Sequence, residues 1–307
     1  MVATLRAAYA LPQRPAASPP RSVARGDGVW LRSLSAVLPS GALMGAKLFG
    51  LSRRRRVSYL VTLFDQESGE IVALVDANPI TAFRTAATSA VAVDRLARAG
   101  AMKVGVLGSG VEAHAHVRAI ASVRPLASLA VYSPSEENRA AFARTMQAER
   151  GIPCRAADSE RDAVSGCDLV IAAARSRDEK PIVEGAWLAD GMLVVSIGST
   201  LPEQREVDTA TIARCDLIVA DAPDEVAHGT GDFIAAAREH VPFAAKLVSL
   251  NDLLMGKADD RAQAARLPMY KSVGAGLQDI AVAELAYREA MRQGLATDLP
   301  IDISVKR

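Results

Sequence analysis

One stretch limits the fold more than any other: Lys103-Val104-Gly105-Val106-Leu107-Gly108-Ser109-Gly110-Val111-Glu112-Ala113-His114-Ala115-His116. A short apolar run ends in Gly108-x-Gly110-x-x-Ala113, and helical spacing follows at Ala113, Val117, Ala119 and Ile120. This strand–turn–helix pattern is a dinucleotide-site fingerprint. Gly108 permits the tight turn, Gly110 lets backbone approach a diphosphate, and Ala113 lets the helix pack close to its strand. The helix N-terminus adds free N–H groups and a partial positive charge that would face the phosphates. A glycine turn in some other α/β unit is the plain alternative.

The surrounding pattern supports the first reading. Expected strands at 104–107, 129–132, 154–156, 169–173, 193–196, 217–219 and 246–249 alternate with helices, notably 112–122, 135–149 and 208–213. Such alternation predicts a doubly wound parallel sheet, an α/β Rossmann domain. The first third reads differently. Expected strands at 21–25, 30–38, 45–49, 57–64 and 71–75, the last two joined by a hairpin at 65–70, predict a mostly antiparallel unit. Asn78-Pro79 then opens a long helix over 80–99, with Thr81 as a possible N-cap and Gly100 as its stop. The stretch 269–276 reads as a glycine-containing element, and 279–293 as a helix.

The chain has 307 residues, half of them hydrophobic, and a net charge of +1. That length and apolar share support a sizeable core and two domains. The charge balance argues against nucleic-acid binding by a broad basic face. No apolar run reaches the ~18 residues a membrane span needs, and the first residues do not read as a signal peptide. Cys154, Cys167 and Cys215 lie far apart without metal or CxxC spacing. They read as reduced thiols of a cytoplasmic protein. The histidines form no HExxH pattern, and no metal-ligand cluster appears.

Several residues stand out for chemistry. The second Rossmann strand ends at Tyr132-Ser133, where an NAD site usually carries Asp or Glu for the ribose hydroxyls. Ser133-Pro134-Ser135, with Arg139 one turn on, removes the carboxylate that would repel a 2′-phosphate and favours NADP(H) over NAD(H). A loop holding either cofactor through backbone groups is the alternative. Arg84 falls in the first turn of the long helix, where a cation opposes the dipole; it points to an anionic partner such as a diphosphate, or else is a solvated arginine. Lys47 interrupts an alternating strand between Ala46 and Leu48. It points into a cleft to bind a carboxylate or donate a proton, or else faces solvent. The run Arg53–Arg56 reads first as a charged loop. Val195-Ser196-Ile197-Gly198-Ser199-Thr200 closes a strand at the sheet edge where ligands bind.

Taken in order, these pieces resemble the ornithine cyclodeaminase/mu-crystallin family. The stretches that carry the resemblance are Gly45-Ala46-Lys47-Leu48, the helix opening Ile80-Thr81-Ala82-Phe83-Arg84-Thr85-Ala86-Ala87-Thr88-Ser89-Ala90, and Gly108 to Ala113. Val195 to Ser199, Arg205-Glu206-Val207-Asp208 and Tyr270-Lys271-Ser272-Val273-Gly274 complete it. The resemblance implies a Rossmann domain over 99–269. It also implies an α+β substrate-binding and dimerisation domain from both chain ends, 1–98 and 270–307, in a homodimer. It implies chemistry on small imino or amino acids with a nicotinamide cofactor. By position, Arg21 and Lys47 would hold the substrate carboxylate, with Lys47 catalytic. Arg84 and Arg56 would contact the cofactor. Gly110, Val111 and Glu112 would line its diphosphate, and Ser133 would replace the acidic ribose ligand. Ile197, Gly198 and Ser199 would lie under the nicotinamide ribose, with Ser272 and Val273 facing nicotinamide and substrate.

The departures narrow the expectation. Where cyclodeaminases carry Asp and, four residues on, Lys, this chain has Thr200 and Gln204, and their pocket Glu falls on Ala36. The resulting expectation is an NAD(P)H-dependent reductase of cyclic ketimine carboxylates such as pyrroline-2-carboxylate or piperideine-2-carboxylate. An ornithine cyclodeaminase or an alanine- or opine-type dehydrogenase is the enzyme alternative. A cofactor-bound binding protein like mu-crystallin is the non-catalytic one.

Overall fold

The computed structural model describes residues 1–174, 180–300 and 303. In chain order, α1 (Val2–Tyr9) precedes β1 (Ser22–Gly26), β2 (Val29–Val37), β3 (Leu43–Leu51), β4 (Val57–Asp65) and β5 (Ile71–Asp76). Next come α2 (Asn78–Leu96), β6 (Met102–Leu107), α3 (Val111–Ala121), β7 (Leu126–Tyr132), α4 (Glu136–Arg150), β8 (Cys154–Ala156), α5 (Glu160–Val164), β9 (Leu169–Ala172) and β10 (Leu193–Ser196). The remainder runs α6 (Thr209–Arg214), β11 (Leu217–Ala220), α7 (Pro223–Gly229), α8 (Gly231–Arg238), β12 (Leu247–Ser249), α9 (Leu250–Leu254), α10 (Asp259–Ala264), β13 (Pro268–Lys271) and α11 (Gly276–Gln293). The chain divides into two units: residues 1–84 with 274–307, and residues 85–273.

In the first unit, β1 to β5 form an antiparallel sheet in sequence order. Alternation along β2 buries Leu34 and Ala36 on one face and exposes Leu31 and Val37 on the other, as a half-covered antiparallel sheet requires. The long helix α11 packs on β2, β3 and β4, and α1 packs on α11. Gly276 makes this close approach possible, since a Cβ there would lie 2.3 Å from the Ser35 carbonyl oxygen. The opposite sheet face keeps Leu31, Val37, Leu48, Leu60 and Leu74 exposed.

The second unit holds an eight-stranded sheet in the order β12-β11-β13-β10-β9-β6-β7-β8. Every described pairing in it is parallel. The central strands β9, β10, β11 and β13 are buried throughout, as a sheet covered on both faces demands. The chain leaves β6 for β7 on one side and returns to β9 on the other. That reversal opens a crevice beside the carboxyl end of β6, the usual place for a dinucleotide.

Three local expectations are corrected. The stretch expected as a glycine-containing element from 269 begins as a central strand, β13, lying between β10 and β11. Four residues, Pro268 to Lys271, show no useful period, and only pairing partners reveal them as sheet. The helix expected over 80–99 ends at Leu96; residues 97–101 turn the chain into β6, with Gly100 at φ +108° inside that turn. Thr81 is not its N-cap. Its hydroxyl donates back to the Ala77 carbonyl at 2.9 Å, while the Asp76 carboxylate accepts from the Asn78 N–H at 3.0 Å.

Candidate functional site

The candidate residues form two clusters, one in each unit. In the first unit Lys47 lies on β3 opposite Leu34 and Val61, on the face that carries the core. It is 2% exposed, so the solvent-facing reading is excluded. A lysine in such a place needs a counter-ion. Asp279 of α11 supplies it, with Oδ1 2.7 Å from Lys47 Nζ. The same oxygen lies 3.0 Å from Arg84 Nε. Arg84 Nη1 donates to Gln278 Oε1 at 2.8 Å, and Gln278 Nε2 donates to the Tyr9 hydroxyl at 3.0 Å. Arg21 Nη2 reaches the Gly274 carbonyl at 3.4 Å.

The electrostatics follow from one anion shared by several cations. The Lys47 pKa is lowered to about 8: burial lowers it most, the Arg84 and Arg21 charges lower it too, and Asp279 pulls it up. Asp279 is fully buried, and its Oδ2 has no hydrogen-bond partner among the described residues. The cluster sets Lys47 and Arg84 on one carboxylate, with Arg21 acting on the same lysine, and these cations suit an incoming carboxylate.

The Arg84 reading changes here, whereas the charged-loop reading of 53–56 does not. Arg84 lies in the second turn of α2 rather than the first, and it is buried, so it is no solvated surface arginine. The anion that its position called for is present in its own unit as Asp279. Arg56 is exposed in the turn between β3 and β4, and its guanidinium has no ion pair among the described residues.

Asp279, Gln278 and Arg32 escaped the sequence reading. Arg32 is buried on β2, 4.3 Å from the Trp30 ring centre and 5.8 Å from that of Phe49. An arginine placed in period with Leu34 and Ala36 was the available signal. Asp279 and Gln278 gave none, because they sit inside an ordinary helical pattern.

In the second unit, Gly108 follows β6 at φ +115°, and a Cβ there would lie 2.6 Å from the Ala173 carbonyl oxygen. Gly110 N-caps α3 without any side-chain cap. The first-turn N–H groups of α3 therefore have no acceptor within the helix. A Cβ at Gly110 would meet nothing within 4 Å, so space stands open above these donors. Glu112 is in that first turn, and Val111 is 75% exposed. An open cradle at the N-terminus of α3 fits a dinucleotide diphosphate.

Beside it, the Ser109 hydroxyl donates to Ser133 Oγ at 2.9 Å, and Ser133 Oγ donates to the Ser135 carbonyl at 3.3 Å. Ser135 Oγ caps α4 by accepting from the Asn138 N–H. Arg139 Nη1 donates to the Ser133 carbonyl at 3.0 Å and lies 5.5 Å from the centre of the Tyr132 ring. Serine, not a carboxylate, stands at this strand end.

At the carboxyl end of β10, Ile197, Gly198 and Ser199 are buried. Ser199 Oγ donates to the Gln204 carbonyl at 2.6 Å, and Gln204 Oε1 accepts from the Thr200 N–H at 3.0 Å. Thr200 and Gln204 thus tie one turn together. The Ser272 hydroxyl and the Val273 N–H both donate to the Asp221 carboxylate, at 2.6 and 3.0 Å. The Ser89–His116 pair, Oγ to Nε2 at 3.0 Å, is wholly buried and offers no substrate access. Among the described residues no group of three or more His, Cys, Asp or Glu could hold a metal ion. No described helix is long and apolar enough to cross a membrane.

Comparison with known proteins decides the family. The family model described as "Ornithine cyclodeaminase/mu-crystallin family" matches residues 49–294. The chain belongs to this family. One family relative, a Delta(1)-pyrroline-2-carboxylate reductase of Bacillus cereus, is 27% identical over 79% of this chain and 74% of the relative. The NAD(P)H-dependent anabolic L-arginine dehydrogenase DauB of Pseudomonas aeruginosa is 32% identical over 74% of this chain and 70% of its own. Among solved structures, Thermococcus litoralis Delta(1)-pyrroline-2-carboxylate reductase in complex with NADH and L-proline is 25% identical. It matches with a TM-score of 0.87 over 97% of this chain and 94% of that one.

Proposed function

We propose that this family member is an NAD(P)H-dependent reductase of cyclic ketimine carboxylates, acting on pyrroline-2-carboxylate or piperideine-2-carboxylate. The observation that carries the substrate class is the gathering of cations at one buried carboxylate, Lys47 and Arg84 on Asp279 Oδ1, with Arg21 acting on the same lysine. A substrate carboxylate is the anion that such a gathering of cations attracts. The names of the relatives, two imine-carboxylate reductases and an amino-acid dehydrogenase, agree with that chemistry.

Gly108, Gly110, Val111 and Glu112 would hold the diphosphate, with Arg84 and Arg56 as further contacts. Ile197, Gly198, Ser199 and Ser272 would hold the nicotinamide end. A reduced nicotinamide bound there would supply a hydride. Arg21 and Lys47 hold the substrate carboxylate, with Val273 against the substrate, so the imine carbon is fixed for attack. As hydride joins that carbon, the C=N electron pair moves to nitrogen, which carries a proton from solution or takes one from Lys47. With a pKa near 8, Lys47 is charged at neutral pH yet can release its proton.

The Ser133, Ser135 and Arg139 corner supports a preference for NADP(H), since its hydroxyls and guanidinium accept a 2′-phosphate without carboxylate repulsion. A homodimer is proposed through the exposed sheet face bearing Leu31, Val37, Leu48, Leu60 and Leu74. Size-exclusion chromatography with light scattering tests it, and a monomer at micromolar concentration would refute it. An amino-acid dehydrogenase is the second reading, favoured by the resemblance to DauB. Purified protein mixed with NADPH or NADH and pyrroline-2-carboxylate separates the two. Loss of the reduced-nicotinamide absorbance, faster with NADPH, is expected. No loss, with NAD⁺ or NADP⁺ reduced by an open-chain amino acid instead, would replace the ketimine reading.

A further inference from the structure

A buried ionic network lies beneath the turn at the carboxyl end of β10. Lys271, the last residue of β13, donates to Asp232 Oδ2 at 2.9 Å and to Ser196 Oγ at 2.8 Å. Ser196, the last residue of β10, donates to Glu206 Oε2 at 2.6 Å. Asp232, in the first turn of α8, uses Oδ1 to accept the Glu206 and Val207 N–H groups at 2.7 and 3.1 Å. Lys271, Asp232, Ser196 and Glu206 are all completely buried.

Glu206 also touches the turn itself. A Cβ on Gly198 would lie 2.3 Å from Glu206 Oε1, so only glycine lets the two approach. The Gly198 N–H interacts with this carboxylate and favours its ionised form. One side chain therefore links β10, through Ser196, to the backbone of the 197–199 turn.

We infer that Glu206 is the positioning residue that seats the Ile197–Ser199 turn, and that its charge state sets how tightly the turn holds the nicotinamide dinucleotide. This rests on the reductase reading for the identity of the ligand. The groups facing Glu206 are Lys271 from β13, Asp232 from α8, Ser196 from β10 and the Gly198 N–H from the turn. Two carboxylates share one ammonium in a space closed to water, so one carboxylate is uncompensated. Burial, with a smaller push from Asp232, raises Glu206 to about 7 against the pull of Lys271, Ser196 and Gly198. Above that pH the carboxylate accepts from Ser196 through Oε2, while Oε1 lies against Gly198, whose N–H dipole favours the ionised form. Below it, the neutral group no longer attracts the Gly198 N–H dipole, and the turn loosens.

The test is binding of NADH, followed by its fluorescence between pH 6 and 8. NADH carries no group that titrates in this range. Losing the attraction between the Glu206 charge and the Gly198 N–H dipole should weaken wild-type binding roughly fivefold from pH 8 to pH 6, with its midpoint near 7. Glu206→Gln keeps the shape but not the titration, so its Kd should be flat with pH and near the wild-type value at pH 6. Glu206→Asp keeps a carboxylate but withdraws it from Gly198, and should bind weakly at every pH. A wild-type Kd flat across this range, or a Glu206→Gln slope equal to wild type, overturns the inference. Failure of the wild type to bind NADH or NADPH at any pH overturns the reductase reading itself.

Discussion

Lys47 carries an ammonium into the core face of an antiparallel sheet, and that placement has a thermodynamic sign that can be measured. Its pKa in the folded chain is about 8, against about 10.4 for a lysine in an unfolded chain. Between these two values the unfolded chain holds a proton that the folded chain has lost, so stability rises with pH across that window. At about 1.4 kcal/mol per tenfold change in proton affinity, the buried charge costs roughly 3 kcal/mol below pH 8. The cost disappears above about pH 10.5. Lys47→Met removes the charge while filling similar volume, and Asp279 keeps Arg84 as its partner. Urea unfolding at pH 7 should then show the variant more stable by about 1.5–3 kcal/mol, after allowing up to ~1.5 kcal/mol for repacking. At pH 10.5 that advantage should be gone, leaving the variant equal to wild type or below it by up to ~1.5 kcal/mol of repacking, since other lysines titrate alike in both. Ketimine reduction by the variant should fall sharply while NADPH binding survives. A variant less stable than wild type at pH 7, or an equal gap at both pH values, would refute the electrostatic reasoning.

The second unit and Asp279 offer further tests. Gly108→Ala forces a side chain to φ +115° and into the Ala173 carbonyl, and should lower stability by about 1–3 kcal/mol in thermal unfolding. Gly110→Ala meets open space, so its Tm should stay within a few degrees while the dinucleotide Kd rises; equal effects in the two variants would sink the cradle assignment. Ser133→Asp should cut the NADPH-to-NADH affinity ratio at least about tenfold by setting a carboxylate against the 2′-phosphate, and an unchanged ratio would remove Ser133 from cofactor selection. Asp279→Ala strands Lys47 and Arg84 as buried cations and should cost about 3–5 kcal/mol in urea unfolding, where a loss under about 1 kcal/mol would show the pair unimportant.

Local pattern carried most of the element boundaries. The strands expected at 154–156 and 193–196 have those bounds in the fold, because turn signals bracket short apolar runs there. The Gly108-x-Gly110 turn was equally plain, since the backbone geometry itself demands glycine. β13 was hidden, because four residues hold no period and its place between β10 and β11 is a long-range fact. Lys47 and Arg84 stood out as charges in the wrong place for a strand face and a helix start. What answers them did not, since Asp279 lies far along the chain from either partner and looks like any helical aspartate.

The amino-acid order alone therefore determined the family, the class of fold and the glycines of the cradle, all of which depend on near neighbours in the chain. Tertiary structure decided how the buried charges pair. It brought Asp279 to Lys47 and Arg84, and set Glu206 and Asp232 around Lys271. The reason is physical. Hydrophobic period and turn chemistry act over a few residues, whereas the proton affinity of a buried group depends on how far water is excluded and on charges brought close only when the chain has folded.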